Sequence, residues 1–380
     1  MTSLRVISVS DRAQPVRVPP TMAQALLVYG ALRVVSLATT AFLLRHGRFQ
    51  GLHANLWGWL AYGYDAGWYH RLETKWYASP PGVIPPYSWF PGYPAVIDAV
   101  AWVTRIGVAP ASLLVTFAAG FAAAAGLARL GQRLTGDDRV AILLVALWSV
   151  APSSYVLSMA YSEALFCALA VWALIAVAEE RWLIAAGLTG LAGLVRNSAI
   201  ALIAAVAVAG IVAAITRRTL RPALAVLIAP IGLAGYQLFV ATRVPGGLMG
   251  TERVQHMAFD WGKSLLRAMV RAAMEGSATF ITLTLIVIAT ALILTAWLLT
   301  ERLPAYLIVY TLGVVALAVM TNTSYLGSKP RFLLPAFLLA LPFAKVLAPV
   351  RKQVLIPLIT ILGIASTWFG LFLVINHWAP

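Results

Sequence analysis

Long apolar runs, interrupted at short intervals by arginine, proline or glycine, repeat from residue 22 to residue 375. Such windows lie at 22–44, 111–130, 139–156, 158–178, 182–195, 198–215, 222–241, 277–299, 304–321, 331–348 and 354–375. A bilayer core about 30 Å thick needs about 20 predominantly apolar residues in each helix that crosses it. The pattern predicts an all-α polytopic membrane protein with about 11 transmembrane helices in one domain over residues 22–376. Residues 1–21 carry Arg5, Arg12 and Arg17 without an apolar core, and read as a cytosolic tail rather than a cleaved signal.

The arginines assign the sides of the membrane. Short cytoplasmic loops carry an excess of Lys and Arg. Arg129, Arg133 and Arg139 mark one such loop, and Arg181, then Arg217, Arg218 and Arg221, then Arg302, then Arg351 with Lys352 mark the following ones. The loops 45–110 and 242–276, and the turns near 152–162, 196–197 and 322–331, then face outward. Residues 91–108 are partly apolar but hold Asp98, Arg105 and two prolines, which predicts a re-entrant or membrane-surface element. Segment 49–93 is crowded with Trp and Tyr, which suit the membrane interface and also the faces of sugar rings. Segment 242–276 mixes Arg253, Lys263, Arg267 and Arg271 with Met257, Phe259, Trp261, Leu265 and Met269, an amphipathic pattern for the outer surface.

Composition narrows the function classes. The chain is 61% hydrophobic and 11% charged, against about 25% charged in soluble domains. The net charge of +15 is spread through short loops, so it serves topology and anionic membrane lipids rather than nucleic acid. A single cysteine, Cys167, excludes an internal disulfide and a thiolate zinc site. His46, His53, His256 and His377 lack ligand spacing, so neither metal nor cofactor is expected.

Mid-helix positions are nearly free of charge; Arg33 and Glu163 are the main exceptions. A transporter normally carries ionisable residues along its path. Here polar residues gather on the predicted outer face, at Tyr64-Asp65, Tyr87-Ser88, Tyr161-Ser162-Glu163, Arg196-Asn197-Ser198 and Ser328-Lys329-Pro330-Arg331. That grouping predicts an enzyme site at the outer interface that meets a lipid-borne substrate. A lipid transporter and an envelope scaffold remain the alternatives.

The strings Tyr64-Asp65-Ala66-Gly67-Trp68-Tyr69 and Trp89-Phe90-Pro91-Gly92-Tyr93-Pro94 resemble the first outer loop of PIG-V-type mannosyltransferases, the GPI mannosyltransferase II family. The resemblance continues, in chain order, at Ala151-Pro152-Ser153, Tyr161-Ser162-Glu163-Ala164-Leu165-Phe166, Val195-Arg196-Asn197-Ser198 and Pro330-Arg331-Phe332-Leu333-Leu334-Pro335-Ala336. It implies a member of the GT-C class: a multispanning, inverting enzyme that takes a sugar, mannose, from a polyprenyl-phosphate donor to a lipid or glycan acceptor; the short, basic, alanine-rich chain suggests a bacterial member.

Glycosyl transfer needs a base for the attacking hydroxyl and positive charge for the leaving phosphate. Asp65, which resembles the loop-one aspartate of the family, is the expected base; a turn or helix-cap role is its bland alternative. Arg196, Arg331 and Lys329 are the expected donor-phosphate ligands, against pairing with lipid headgroups or snorkelling of the lysine. Tyr64, Trp68, Tyr69, His70, Trp89, Tyr161, Glu163 and Asn197 are the expected substrate-binding residues. For Glu163 the alternative is an interhelical hydrogen bond, and for His70 a solvated surface.

Overall fold

The computed structural model describes residues 20–46, 55–79, 86–254, 259–274, 279–321 and 326–375. The expected tail lies outside them up to residue 19. The first part of the chain forms α1 (Pro20–His46), the short α2 (Leu56–Tyr62) and α3 (Asp65–Lys75), then α4 (Gly92–Thr104), α5 (Val108–Thr135) and α6 (Asp138–Ser149). A 3-10 turn at Ser154–Ser158 leads to α7 (Glu163–Ala178), α8 (Trp182–Val195), α9 (Ala199–Arg217), α10 (Leu220–Ile228) and α11 (Ile231–Ala241). The remainder is α12 (Gly247–Val254), α13 (Lys263–Met274), α14 (Thr279–Thr300), α15 (Ala305–Met320), α16 (Lys329–Phe332), α17 (Leu341–Leu347) and α18 (Lys352–Ile375).

Six spans are long and apolar enough to cross a bilayer, counting α10–α11 as one, and the bent pair 326–332 with 337–347 makes up to seven. The other expected spans are shorter helices. The window 139–156 yields only the 12 residues of α6, because Pro152 and a left-handed Ser153 (φ 66°) break the chain. The window 158–178 becomes helical only at Glu163, and α8 and α15 run 14 and 16 residues. The element at 91–108 is a 13-residue helix, α4, which rises about 20 Å and so falls short of the bilayer core. Arg105 ends it in the left-handed region at φ 60°.

The core lies where α5, α6 and α7 meet, with Leu127, Leu144, Val171 and Leu174 fully buried. Outward-facing Leu27, Ile215, Leu227 and Ile293 are exposed, as helices solvated by lipid require. On α13 the exposed Leu266, Met269, Val270 and Met274 fall at helical spacing beside Lys263, Arg267 and Arg271, the amphipathic stripe expected there.

Two close contacts fix the end of α8, from which the site will be built. A Cβ at Gly193 would stand 2.6 Å from the Leu233 backbone nitrogen, and one at Gly232 would collide with the Gly190 carbonyl oxygen. Small residues let membrane helices approach backbone to backbone in this way. A Cβ at Gly92 would likewise stand 2.7 Å from the Leu194 carbonyl oxygen, so α4 also closes onto α8.

Candidate functional site

Asp65 leaves a tight turn between α2 and α3. Tyr64, just before it, has φ 52° and ψ −115°, a conformation L side chains rarely adopt. Such a residue costs about 1–3 kcal/mol and persists only when its surroundings hold it. Here the Tyr64 hydroxyl donates to the Val374 carbonyl at 3.1 Å, and the Asp65 amide donates to the Tyr161 hydroxyl at 3.2 Å. Asp65 is the first residue of α3, yet that helix has no side-chain cap hydrogen bond. Its carboxylate is turned inward instead, and is buried.

There it meets three charges carried by distant segments. Arg331, from α16, places Nη1 2.6 Å from Asp65 Oδ2 and Nε 3.9 Å from Glu163 Oε1. Arg196, just after α8, places Nη1 2.9 Å from the same Glu163 oxygen and donates to Ser162 Oγ at 2.9 Å. Phe332 lies beneath both guanidiniums, at 5.1 Å and 5.7 Å from its ring centre, and Arg331 also lies 5.3 Å from the ring centre of Tyr161. The two carboxylates and two guanidiniums cancel in charge, but their close pairs leave several polar atoms without a well-aligned hydrogen bond. Among the described residues, Asp65 Oδ1, both Glu163 oxygens, and Arg331 Nε and Nη1 are buried without a hydrogen-bond partner. Burial raises the Asp65 carboxyl above its ordinary range, against the pull of Arg331.

The group opens into a cavity of about 580 Å³. Asp65, Tyr69, Arg196, Ser328, Arg331 and Phe332 line its charged end. Trp89, Asn197, Gln237, Met249, Glu252 and Phe259 also line it, bringing in α11 and α12. Asn197 Nδ2 donates to Glu252 Oε1 at 3.3 Å. Burial pushes the Glu252 carboxyl up to about 7. The cavity is thus apolar in most of its lining, with a few convergent polar groups, as ligand pockets are.

No protein-family model matches the chain, and no curated protein matches it. Among solved structures the chain is similar to ArnT from Cupriavidus metallidurans, determined bound to undecaprenyl phosphate: the TM-score is 0.51 and the identity 14%. The likeness covers 85% of this chain, which spans 60% of the length of ArnT. The fold is the GT-C membrane fold.

Within this GT-C bundle, the expected site residues divide. Asp65, Glu163, Arg196 and Arg331 come together, and Tyr69, Trp89 and Asn197 line the same cavity. Tyr161 supports it from behind, and the Tyr69 hydroxyl lies 2.7 Å from Ser162 Oγ. Trp68 stacks on Trp89, with ring centres 4.7 Å apart, but does not line the cavity. Tyr64 is committed to Val374. His70 packs edge-on against Tyr62 and pairs with Glu73 at 3.5 Å.

Lys329 takes another course. Its Nζ donates to the carbonyls of Ala318, Val319 and Thr321 at 2.9, 3.1 and 2.8 Å, satisfying the frayed end of α15. Arg33, the charge in the middle of α1, is occupied in the same manner. It donates to the Ser154 carbonyl at 2.7 Å and to the Ser149 carbonyl at the end of α6. The sequence reading missed Gln237 as a cavity residue and left Glu252 unassigned. A lone glutamine inside the apolar window 222–241 was the available signal for the first.

Proposed function

We propose that the protein is a GT-C membrane glycosyltransferase that moves a sugar from a polyprenyl-phosphate carrier to a lipid or glycan acceptor on the extracytoplasmic face. Mannose is the sugar that the PIG-V-like motifs favour. The observation that carries this reading is the buried, under-bonded group of Asp65, Glu163, Arg196 and Arg331 at the end of one cavity. Buried polar groups are almost always hydrogen-bonded, and an exception calls for an explanation such as a catalytic role or a bound group. The related fold of ArnT, seen with undecaprenyl phosphate, supports a lipid phosphate as that ligand. The outward side is supported by α7: its first residue, Glu163, is in the site, while its far end meets the basic cluster of Arg129, Arg133 and Arg181.

In the reaction, an acceptor hydroxyl oxygen attacks the anomeric carbon, the bond from that carbon to the phosphate oxygen breaks, and the electron pair leaves with the phosphate. Asp65 takes the hydroxyl proton. In-line inversion puts base and leaving group on opposite faces of the sugar, so Arg331 cannot hold both at full contact. Arg196, paired with Glu163 and not with Asp65, is the standing phosphate ligand. Arg331 guards Asp65 in the free protein and shifts toward the phosphate as the donor binds. The proton that neutralises Asp65 then leaves Arg331 free for the second charge gained by the departing phosphate. The site's total charge is the same before and after the step, which avoids creating an uncompensated charge in a buried cavity.

The test is transfer of labelled sugar from polyprenyl-phosphate mannose by purified protein in detergent, with mass spectrometry of co-purified lipid. Transfer, and a retained polyprenyl phosphate, are expected. Absence of both overturns the reading.

A further inference from the structure

The cavity has a second polar wall, away from the charged group, that the catalytic argument does not use. Gln237 projects from α11, a helix otherwise made of Ile, Gly, Leu, Ala, Tyr, Phe and Val. Its side chain is exposed and lines the cavity, where an amide finds the polar partners that lipid does not offer. Glu252 stands on α12 beside it, half-buried, and Asn197 completes the wall from the turn after α8. Asn197 spends its Nδ2 on Glu252 Oε1 at 3.3 Å, and its Oδ1 is buried without a partner among the described residues. The wall offers acceptors in the Asn197 oxygen and the Glu252 carboxyl, and both an acceptor and donors in the Gln237 amide. A phosphate, which brings only acceptors and negative charge, suits the Asn197 oxygen and the Glu252 carboxyl poorly. Hydroxyl groups, which both donate and accept and carry no charge, suit the whole wall.

We infer that Asn197, Gln237 and Glu252 form the subsite for the transferred sugar and read neutral hydroxyls of its pyranose ring, with Glu252 the specificity-determining residue. The inference rests on the lipid-phosphate donor proposed above. It assigns the subsite to the donor sugar rather than the acceptor because Arg196 and Asn197 both line this cavity, so a sugar joined to a phosphate held by Arg196 stays within reach of the wall. Trp89, one face of which is stacked on Trp68, lines the same cavity and supplies the aromatic surface that the C–H faces of a sugar favour. Burial also pushes the Glu252 carboxyl up to about 7, which suits a neutral ligand better than a second negative charge.

The experiment compares binding of two lipids to the full-length protein in detergent: polyprenyl-phosphate mannose and the bare polyprenyl phosphate. Hydrogen bonds to a carboxylate contribute about 1.5–3 kcal/mol, so Glu252→Ala should bind the mannosylated lipid roughly 10- to 100-fold more weakly. Its affinity for the bare lipid should match the wild type, and Glu252→Gln, which keeps an acceptor oxygen, should recover part of the loss. Thermal unfolding of each variant reports whether the Asn197 contact merely holds α12 in place. Equal losses on both lipids, or a loss that tracks a fallen melting temperature, overturn the assignment and leave Glu252 a structural latch. A wild type that binds both lipids equally also overturns it while sparing the lipid-phosphate reading. A wild type that binds neither removes both.

Discussion

Two glutamates bracket α7, and their fates differ. Glu163, its first residue, and Glu179, its C-cap, are both paired with arginine. At the Glu179 end, Arg129, Arg133 and Arg181 approach at 2.5, 3.5 and 3.8 Å, with side chains 46%, 44% and 60% exposed. Water and salt complete these pairs, and exposed pairs of this kind contribute about 0–1 kcal/mol. At the Glu163 end, the carboxylate is 1% exposed and Arg331 only 4%. Desolvation there costs several kcal/mol per ion, and imperfect alignment leaves it only partly offset. The same residue types therefore serve topology and solubility at one end and store unfulfilled bonding capacity at the other. Stability selects against the second arrangement, so its presence in the cavity points to function.

The largest effect should come from the buried end. Asp65→Asn should reduce transfer by about 10²–10⁴-fold, or about 3–5 kcal/mol of barrier. The same variant frees Arg331 from its partner, so its affinity for bare polyprenyl phosphate should stay level or rise. Residual transfer above about a tenth of wild type, set against the general-base range, would remove Asp65 from the role of base and pass it to Glu163. Weakened lipid binding would contradict the exchange of Arg331 between carboxylate and phosphate. Arg331→Ala should instead lower both lipid affinity and turnover. It should also reduce thermal stability, by about 3–5 kcal/mol if Asp65 stays ionised, because removing one partner strands a buried charge.

An intermediate case sharpens the contrast. The Glu73 side chain is 1% exposed, like Glu163, but among the described residues no guanidinium pairs with it; its neighbours are His70 at 3.5 Å and the charge of Asp98. Burial, then Asp98, pushes its carboxyl up to about 8. The folded protein thus holds this proton more tightly than the unfolded chain. Its contribution to stability is full below the ordinary carboxyl value of 4.5 and is lost progressively as pH rises from there through about 8. Glu73→Gln should match the wild-type melting temperature below that window, overtake it within the window and keep the full advantage above it. A parallel fall of both proteins with pH would show that Glu73 is not the group responsible. The smallest effect belongs to the exposed end: Glu179→Gln should shift stability by no more than about 1 kcal/mol and leave transfer unchanged. A large loss of activity there would erase the distinction between the two ends.

Much of this was legible along the chain, for identifiable reasons. Asp65, Glu163, Arg196 and Arg331 stood out because each interrupts or borders an apolar run where a charge is costly. The long spans were legible for the same reason. Helix ends were less so: α6 reads as a longer span because hydropathy continues past Pro152, while backbone geometry does not. Lys329 looked like a partner of Arg331 two residues away, yet its reach back to the end of α15 depends on how two distant segments pack. Glu252 was equally hard to place. It lies in an amphipathic stretch where acids are ordinary, and only its contact with Asn197 marks it.

The crossing of α8 and α11 has a consequence for how such a site can diversify. Gly190, Gly193 and Gly232 bring the two backbones into direct contact, so the gap between Arg196, at the end of one helix, and Gln237, within the other, is set by atomic radii rather than by side chains. The cavity then has a fixed gauge. Substitutions at Asn197, Gln237 or Glu252 can retune which ligand is grasped while the separation of the walls stays constant. A single methyl group added at Gly232 would change the gauge itself and move the wall carried by α11 away from the one carried by α8. The glycines of the crossing thus act as the frame of the tool, and the polar wall as its exchangeable bit.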